Sequence, residues 1–155
     1  MIESLNNSIK DGTPAYVAKC IQPTFGWDTA VGYLTHCADH ELGEPIDILN
    51  YRLAGANDVD SIRVVYEYLN ENLVKPVIGA DLITTFNTKG NTKYYGKNDV
   101  ILWNVIGYSG FTIIEEDGEG EKRLLEPGDV LYIPKEIEYT VKPESARAFV
   151  LFSLE

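Results

Sequence analysis

The chain has 155 residues, 45% of them apolar and 11% aromatic, which suits one folded domain with a sizeable core and argues against disorder. Its 24 acidic and 13 basic residues leave a net charge of −11, arguing against nucleic acid, whose binding rests on clustered Lys and Arg. No apolar run approaches the roughly 18 residues of a membrane span, and MIESLNNSIKDG lacks the basic and apolar segments of a signal peptide, so a soluble cytoplasmic protein is expected.

Residues 1 to about 13 read as polar and partly frayed. Ala15-Tyr16-Val17-Ala18 is a short strand candidate ending towards Pro23. Asp28 is the expected cap of a helix in which Val31, Tyr33, Leu34 and Cys37 fall at helical spacings. After the loop ADHELGEP, Ile46 to Tyr51 reads as one strand. Ala54 to Asn57 reads as a loop, and Asp58 or Asp60 as the cap of a second helix. In that helix Val59, Ile62, Val65, Tyr66, Leu69 and Leu73 recur at three and four, which marks a packed face.

From Pro76 the pattern changes to strands and turns. Val77 to Thr85 is β-rich, NTKGNTKYYGKND reads as a turn-rich insert, and Asp99 to Ile106 alternates around Trp103. FTIIEE is a strand, DGEGEK a hairpin loop, and Ala146 to Leu154 a closing strand. Glu126-Pro127-Gly128-Asp129 is a tight turn, because Pro127 presets φ and Gly128 takes positive φ. Val130 to Ile133 follows as a strand that Pro134 ends, and Tyr139 opens the next. The expected fold is α+β, mainly β: a barrel core over about 76–155 behind a helical part over about 1–75, all one domain.

The stretch from Gly128 to Tyr139 resembles the cupin motif G-D-x-[LV]-x-[IV]-P-x-G-x-x-H, whose last histidine binds metal. The segments TFGWDTAVGYLTHC, GADLITTFNTKG and YYGKNDVILWNVIGYSGF follow, in order, the outline of the JmjC and ribosomal-oxygenase-like branch of the cupins. The resemblance runs from about Pro14 to Glu155. It implies a double-stranded β-helix, or jelly roll, with two N-terminal helical elements. Active members hold Fe(II) with two His and one carboxylate and take 2-oxoglutarate.

Carried over by position, the first histidine falls on Tyr94, the carboxylate on Gly96 and the second histidine on Tyr139. The lysine that anchors the cosubstrate falls on Ser109. Neutral phenols are poor Fe(II) ligands, and Gly96 has no side chain to offer. The only histidines, His36 and His40, precede the barrel strands. Their i, i+4 spacing makes them weak metal candidates; a solvated helix end is the simpler reading. Cys20 and Cys37 are too few for a disulfide framework and read as buried free thiols.

The resemblance therefore implies a ligand pocket at the barrel mouth formed by Tyr94, Tyr95, Trp103, Asn104, Ser109 and Tyr139, with no catalytic residue, metal or cofactor. The simpler alternative is that these aromatics fill the emptied barrel. The expected function is a cupin-like domain that binds a small molecule or protein partner and has lost oxygenase chemistry. One alternative is a divergent oxygenase using Fe(II) and 2-oxoglutarate, and another is a structural assembly subunit. Ten tyrosines exceed the needs of a small core, which with the apolar last strand suggests surface contacts and a homodimer.

Overall fold

A computed structural model describes residues 1–47, 50–89 and 92–155. From the N-terminus the elements are α1 (Ile2–Asp11), β1 (Ala15–Val17), α2 (Trp27–Asp39), β2 (Glu44–Asp47) and β3 (Asn50–Leu53). A 3-10 turn (Ala56–Asp58) leads to α3 (Asp60–Asn72), then β4 (Val77–Thr85), β5 (Thr92–Tyr95) and β6 (Val100–Ile106). The chain ends with β7 (Ser109–Glu115), β8 (Gly118–Leu125), β9 (Val130–Ile133), β10 (Glu138–Pro143) and β11 (Arg147–Leu154).

The strands form two sheets, in the orders β1-β9-β6-β11-β4-β3-β2 and β5-β10-β7-β8, with antiparallel pairing. Strand alternation divides the core in two. Along β11, Phe149 and Leu151 pack with Ile83, Leu102, Phe111, Leu131, Tyr139 and Val141 between the sheets. Ala148, Val150 and Phe152 point the other way, against Leu5, Ala30, Cys37, Ile62 and Leu69 of the helices. The large sheet is thus buried on both faces, which explains the near-continuous apolar runs in β6, β9 and β11. The result is the mainly β jelly roll expected, with helices covering the outer face of one sheet.

The helical part departs from expectation at several points. Residues 2–11 form a helix rather than a frayed end, making three α-helices instead of two. Leu5 and Ile9, one turn apart, are buried, and Gly12 closes the helix in the left-handed region at φ 66°. Seven polar or charged residues of the ten obscure that two-residue stripe in the sequence. Gly26 is the N-cap of α2 and Val59 that of α3, neither with a side-chain cap bond, so Asp28 and Asp60 lie in the first turns. There they favour the positive end of the helix dipole. The expected face of α3 is buried through Ile62, Val65 and Leu69.

Three strand expectations also change. The segment around Ile46–Tyr51 is two antiparallel strands, β2 and β3; Ile48 and Leu49 between them lie outside the described residues. The turn-rich insert contains a strand, β5, paired with β10, while Gly90 is outside the described residues. The DGEGEK loop is mostly strand, because β8 begins at Gly118 and pairs with β7.

Two buried carboxylates pin the barrel to the segments around it. Asp129 accepts hydrogen bonds from the Tyr16 hydroxyl (2.9 Å) and from the amides of Lys19 (2.9 Å) and Glu126 (3.0 Å). Asp99 accepts from Lys75 Nζ (2.8 Å), the Tyr132 hydroxyl (2.8 Å) and the Lys135 amide (2.9 Å). Burial alone pulls the Asp99 carboxyl upward, but these three donors together hold it below its ordinary range.

Candidate functional site

β5 is an edge strand, and its pairing with β10 sets Tyr94 directly opposite Tyr139. Alternation turns Tyr139 and Val141 inward on β10, and Tyr94 packs against the same inter-sheet core. The two phenol rings stack, with centroids 5.3 Å apart and planes 12° from parallel. The next residue, Tyr95, faces outward and is 65% exposed.

Both inward phenols are pushed above their ordinary pKa by burial. At Tyr139 the neighbouring Tyr94 adds to the shift while Arg52 opposes it, and at Tyr94 Arg147 and Arg52 oppose it. They are therefore neutral near pH 7 and present hydroxyls rather than phenolates. A cleft of about 130 Å³ opens beside them, lined by Arg52, Tyr94, Tyr95, Gly96, Tyr139 and Leu151 among others. Its volume is below the usual few hundred Å³ of drug-sized pockets, which favours a small occupant.

The remaining expected pocket residues lie elsewhere. Trp103 points out of the barrel: its indole Nε1 donates to the Ile21 carbonyl at 2.9 Å, and Phe25 packs edge-on at 5.9 Å. The strand phase decides this, because Leu102 faces inward and its neighbour must then face the helices.

Asn104 and Ser109 close the opposite end of the barrel. Asn104 Nδ2 donates to the carbonyls of Gly107 (2.7 Å) and Leu125 (3.3 Å), and Ser109 Oγ donates to Asn104 Oδ1 (2.9 Å). Ser109 starts β7 whereas Ile113, the partner of Tyr139, lies four residues along it, a separation of about 13 Å. The structure brings together Tyr94, Tyr139 and the more exposed Tyr95, but not Trp103, Asn104 or Ser109.

A second polar feature inside the barrel was not anticipated. Asn50, Thr85 and Arg147 are cross-strand partners in one row across β3, β4 and β11. Ile83 and Phe149, each two residues along from that row, are inter-sheet core residues, so the row faces the barrel interior. Arg147 is 3% exposed and Asn50 6%. Arg147 Nε and Nη1 and Asn50 Oδ1 have no hydrogen-bond partner among the described residues.

Arg147 also has no ion-pair partner there, and its guanidinium lies 5.0 Å from the centre of the Phe149 ring. Burial pushes its pKa down to about 10, with Tyr94 opposing, so it stays charged at neutral pH. A buried cation without a counter-charge is costly, whereas the nearby Arg52 is paired with Asp81 at 2.6 Å. The signal was in the sequence: Arg147 is in phase with Phe149 and Leu151, an unusual charge on the apolar face of ARAFVLFSL.

At the positions expected to hold iron stand two neutral phenols and a glycine. This set does not fit a centre of two His and one carboxylate. Among the described residues, no group of three or more His, Cys, Asp or Glu side chains is placed to hold a metal ion. His36 and His40 stand close, with ring centroids 4.4 Å apart, and His40 Nδ1 lies 2.9 Å from the His36 carbonyl. Both are exposed at the end of α2, outside the barrel. Both cysteines are free thiols; Cys37 is buried as expected, but Cys20 is only partly so.

The sequence matches no family model and no curated protein sequence. Among solved structures, the chain is similar to the ribosomal oxygenase YcfD from Escherichia coli. In the complex with cobalt and 2-oxoglutarate the TM-score is 0.75 at 11% identity, covering 96% of this chain and 50% of that one. In the complex with cobalt and succinic acid the TM-score is 0.77 at 12% identity, with the same coverage. A variant of oxalate decarboxylase from Bacillus subtilis superposes with a TM-score of 0.51 at 14% identity, covering 72% of this chain and 26% of that one. The chain spans about half the length of YcfD. At these identities the likeness is one of fold: the chain has the cupin, JmjC-like jelly roll. No helix among the described residues is long and apolar enough to cross a membrane.

Proposed function

We propose that this cupin-fold domain binds a small anionic molecule inside its barrel and does not carry out Fe(II)/2-oxoglutarate oxygenation. The observation that carries the reading is Arg147, a buried guanidinium facing the barrel interior whose Nε and Nη1 have no partner among the described residues. Folded proteins rarely leave such donors unused, and an anion would supply both the missing charge and the missing acceptors. The loss of oxygenase chemistry is supported by the residue types at Tyr94, Gly96 and Tyr139: two phenols that burial keeps protonated and a glycine with no side chain to offer.

The fold comparison lends support of a limited kind, because YcfD, at 12% identity, has been solved with succinic acid. Self-association belongs to the same proposal. Tyr68, Tyr95 and Tyr108 are each more than 40% exposed, and such residues are enriched in contacts between chains. Light scattering would measure that mass directly.

The test pairs elemental analysis of anaerobically purified protein with thermal-shift titrations of Fe(II), Mn(II), 2-oxoglutarate, succinate and inorganic phosphate. A specific ligand at 100 times its Kd stabilises by about 2.7 kcal/mol, well within detection. The expected outcome is substoichiometric metal and an anion-dependent shift that Arg147→Met abolishes. Stoichiometric iron with 2-oxoglutarate turnover would overturn the non-catalytic part. No response to any anion would overturn the binding part.

A further inference from the structure

Asn50 shares the row with Arg147 but offers the opposite chemistry. Among the described residues its buried Oδ1 is an acceptor without a donor, whereas Nε and Nη1 of the guanidinium are donors without an acceptor. The two residues flank Thr85, one strand away on either side, so their Cα atoms are about 10 Å apart across the sheet. One compact molecule can reach both side chains. An acid with acceptors only, such as a simple dicarboxylate or an oxo acid, satisfies Arg147 and leaves Asn50 Oδ1 buried and unpaired. That omission is penalised, since a buried polar atom without a partner loses its hydration for nothing.

We infer that the barrel selects a short carboxylic acid bearing a hydrogen-bond donor, a hydroxy acid or an amino acid, with its carboxylate on Arg147 and its donor on Asn50 Oδ1. This rests on the reading of the barrel as an anion site and adds which acid it prefers. The cleft of about 130 Å³ beside Tyr94 and Tyr139 is lined by Arg52 but by neither Arg147 nor Asn50, and the core side chains around the row limit the ligand to a few carbons. Arg52 and Asp81 already satisfy each other at 2.6 Å, so they do not compete for the ligand's groups.

Matched pairs of acids that differ only by one hydroxyl provide the test: L-lactate against propionate, and L-malate against succinate. Titration calorimetry on the intact chain is expected to show the hydroxy acid binding about tenfold tighter in at least one pair, the equivalent of one net hydrogen bond. Asn50→Leu should bring the pair to equal affinity, and Arg147→Met should abolish binding of both members. Asn50→Ala serves as a second variant if leucine overfills the site.

Equal affinity within both pairs for the unaltered chain would overturn the selectivity while leaving anion binding intact. A preference that survives both Asn50 variants would also overturn it, by placing the donor elsewhere. No binding of any of the four acids, with phosphate still stabilising through Arg147, would overturn the carboxylic-acid class alone. Failure of phosphate as well would overturn the underlying anion reading, so the two failures are distinct.

Discussion

Tyr94 and Tyr139 stack across the β5–β10 ladder with ring centroids 5.3 Å apart, at the two positions where resemblance to the oxygenases places iron-binding histidines. The stack anchors an edge strand to the barrel. Tyr139→Ala should therefore destabilise the domain by about 3–5 kcal/mol, as for other buried aromatic truncations. Tyr139→Phe keeps the stack and should stay within about 1 kcal/mol of the unaltered chain. Urea denaturation followed by tryptophan fluorescence compares the two.

The same phenols set an alkaline limit on stability. Burial raises their folded-state pKa above the unfolded value of 10.0, so the unfolded chain releases these protons first as pH rises. Their contribution is fully present below about pH 10 and is lost as pH climbs through the raised values. Arg147 works in the opposite direction, since its folded value of about 10 lies below 12.5. Ultraviolet titration at phenolate wavelengths should show Tyr94 and Tyr139 among five late-titrating tyrosines, with Tyr16, Tyr33 and Tyr132, and the late group should revert to ordinary titration in urea.

Asp99 sets the acid limit. Its folded-state carboxyl lies below the ordinary 3.8, so its contribution is present above about pH 4 and is lost as pH falls through the depressed value. Removing it strands the Tyr132 hydroxyl, the Lys135 amide and Lys75. Asp99→Ala should cost about 3–5 kcal/mol at pH 7, the range for one partner of a buried ion pair, and clearly less at pH 2. Denaturation at the two pH values provides the comparison.

Arg147→Met should leave the ligand-free domain equally stable or raise its melting temperature, because it replaces an uncompensated buried cation by an apolar stem. A guanidinium with a purely structural role would give the reverse result. Melting temperature with and without 2-oxoglutarate, succinate or phosphate separates these two outcomes.

Gly107 turns the chain between β6 and β7 at φ +71°, where an added Cβ would meet the Ala146 carbonyl oxygen at 2.2 Å. Because the obstacle is backbone, it cannot rotate away. Gly107→Ala should destabilise by about 1–3 kcal/mol through strain alone, whereas Gly79→Ala, with open space around it, should be nearly neutral. Melts of the two variants test the difference.

The jelly roll was legible because its signals are local. The turn Glu126–Asp129, the strand ended by Pro134 and the alternation of β4 and β11 rest on backbone preferences that neighbouring residues dictate. The packed face of α3 is equally local, since Ile62, Val65 and Leu69 recur at the period of a helix. α1 was missed because only two buried residues mark it, and β5 because Thr92–Tyr95 is held in place by a partner some 45 residues away.

The sequence alone puts two tyrosines and a glycine at positions 94, 96 and 139, where the resemblance leads one to expect two histidines and a carboxylate. Only the tertiary structure decided which side chains share the barrel. Strand phase sent Trp103 outward to Ile21, and the far end of the barrel took Asn104 and Ser109. The same cross-strand register brought Asn50 and Arg147, 97 positions apart in the chain, into one buried row. Register is set by pairing between distant strands, so no local pattern around either residue records it.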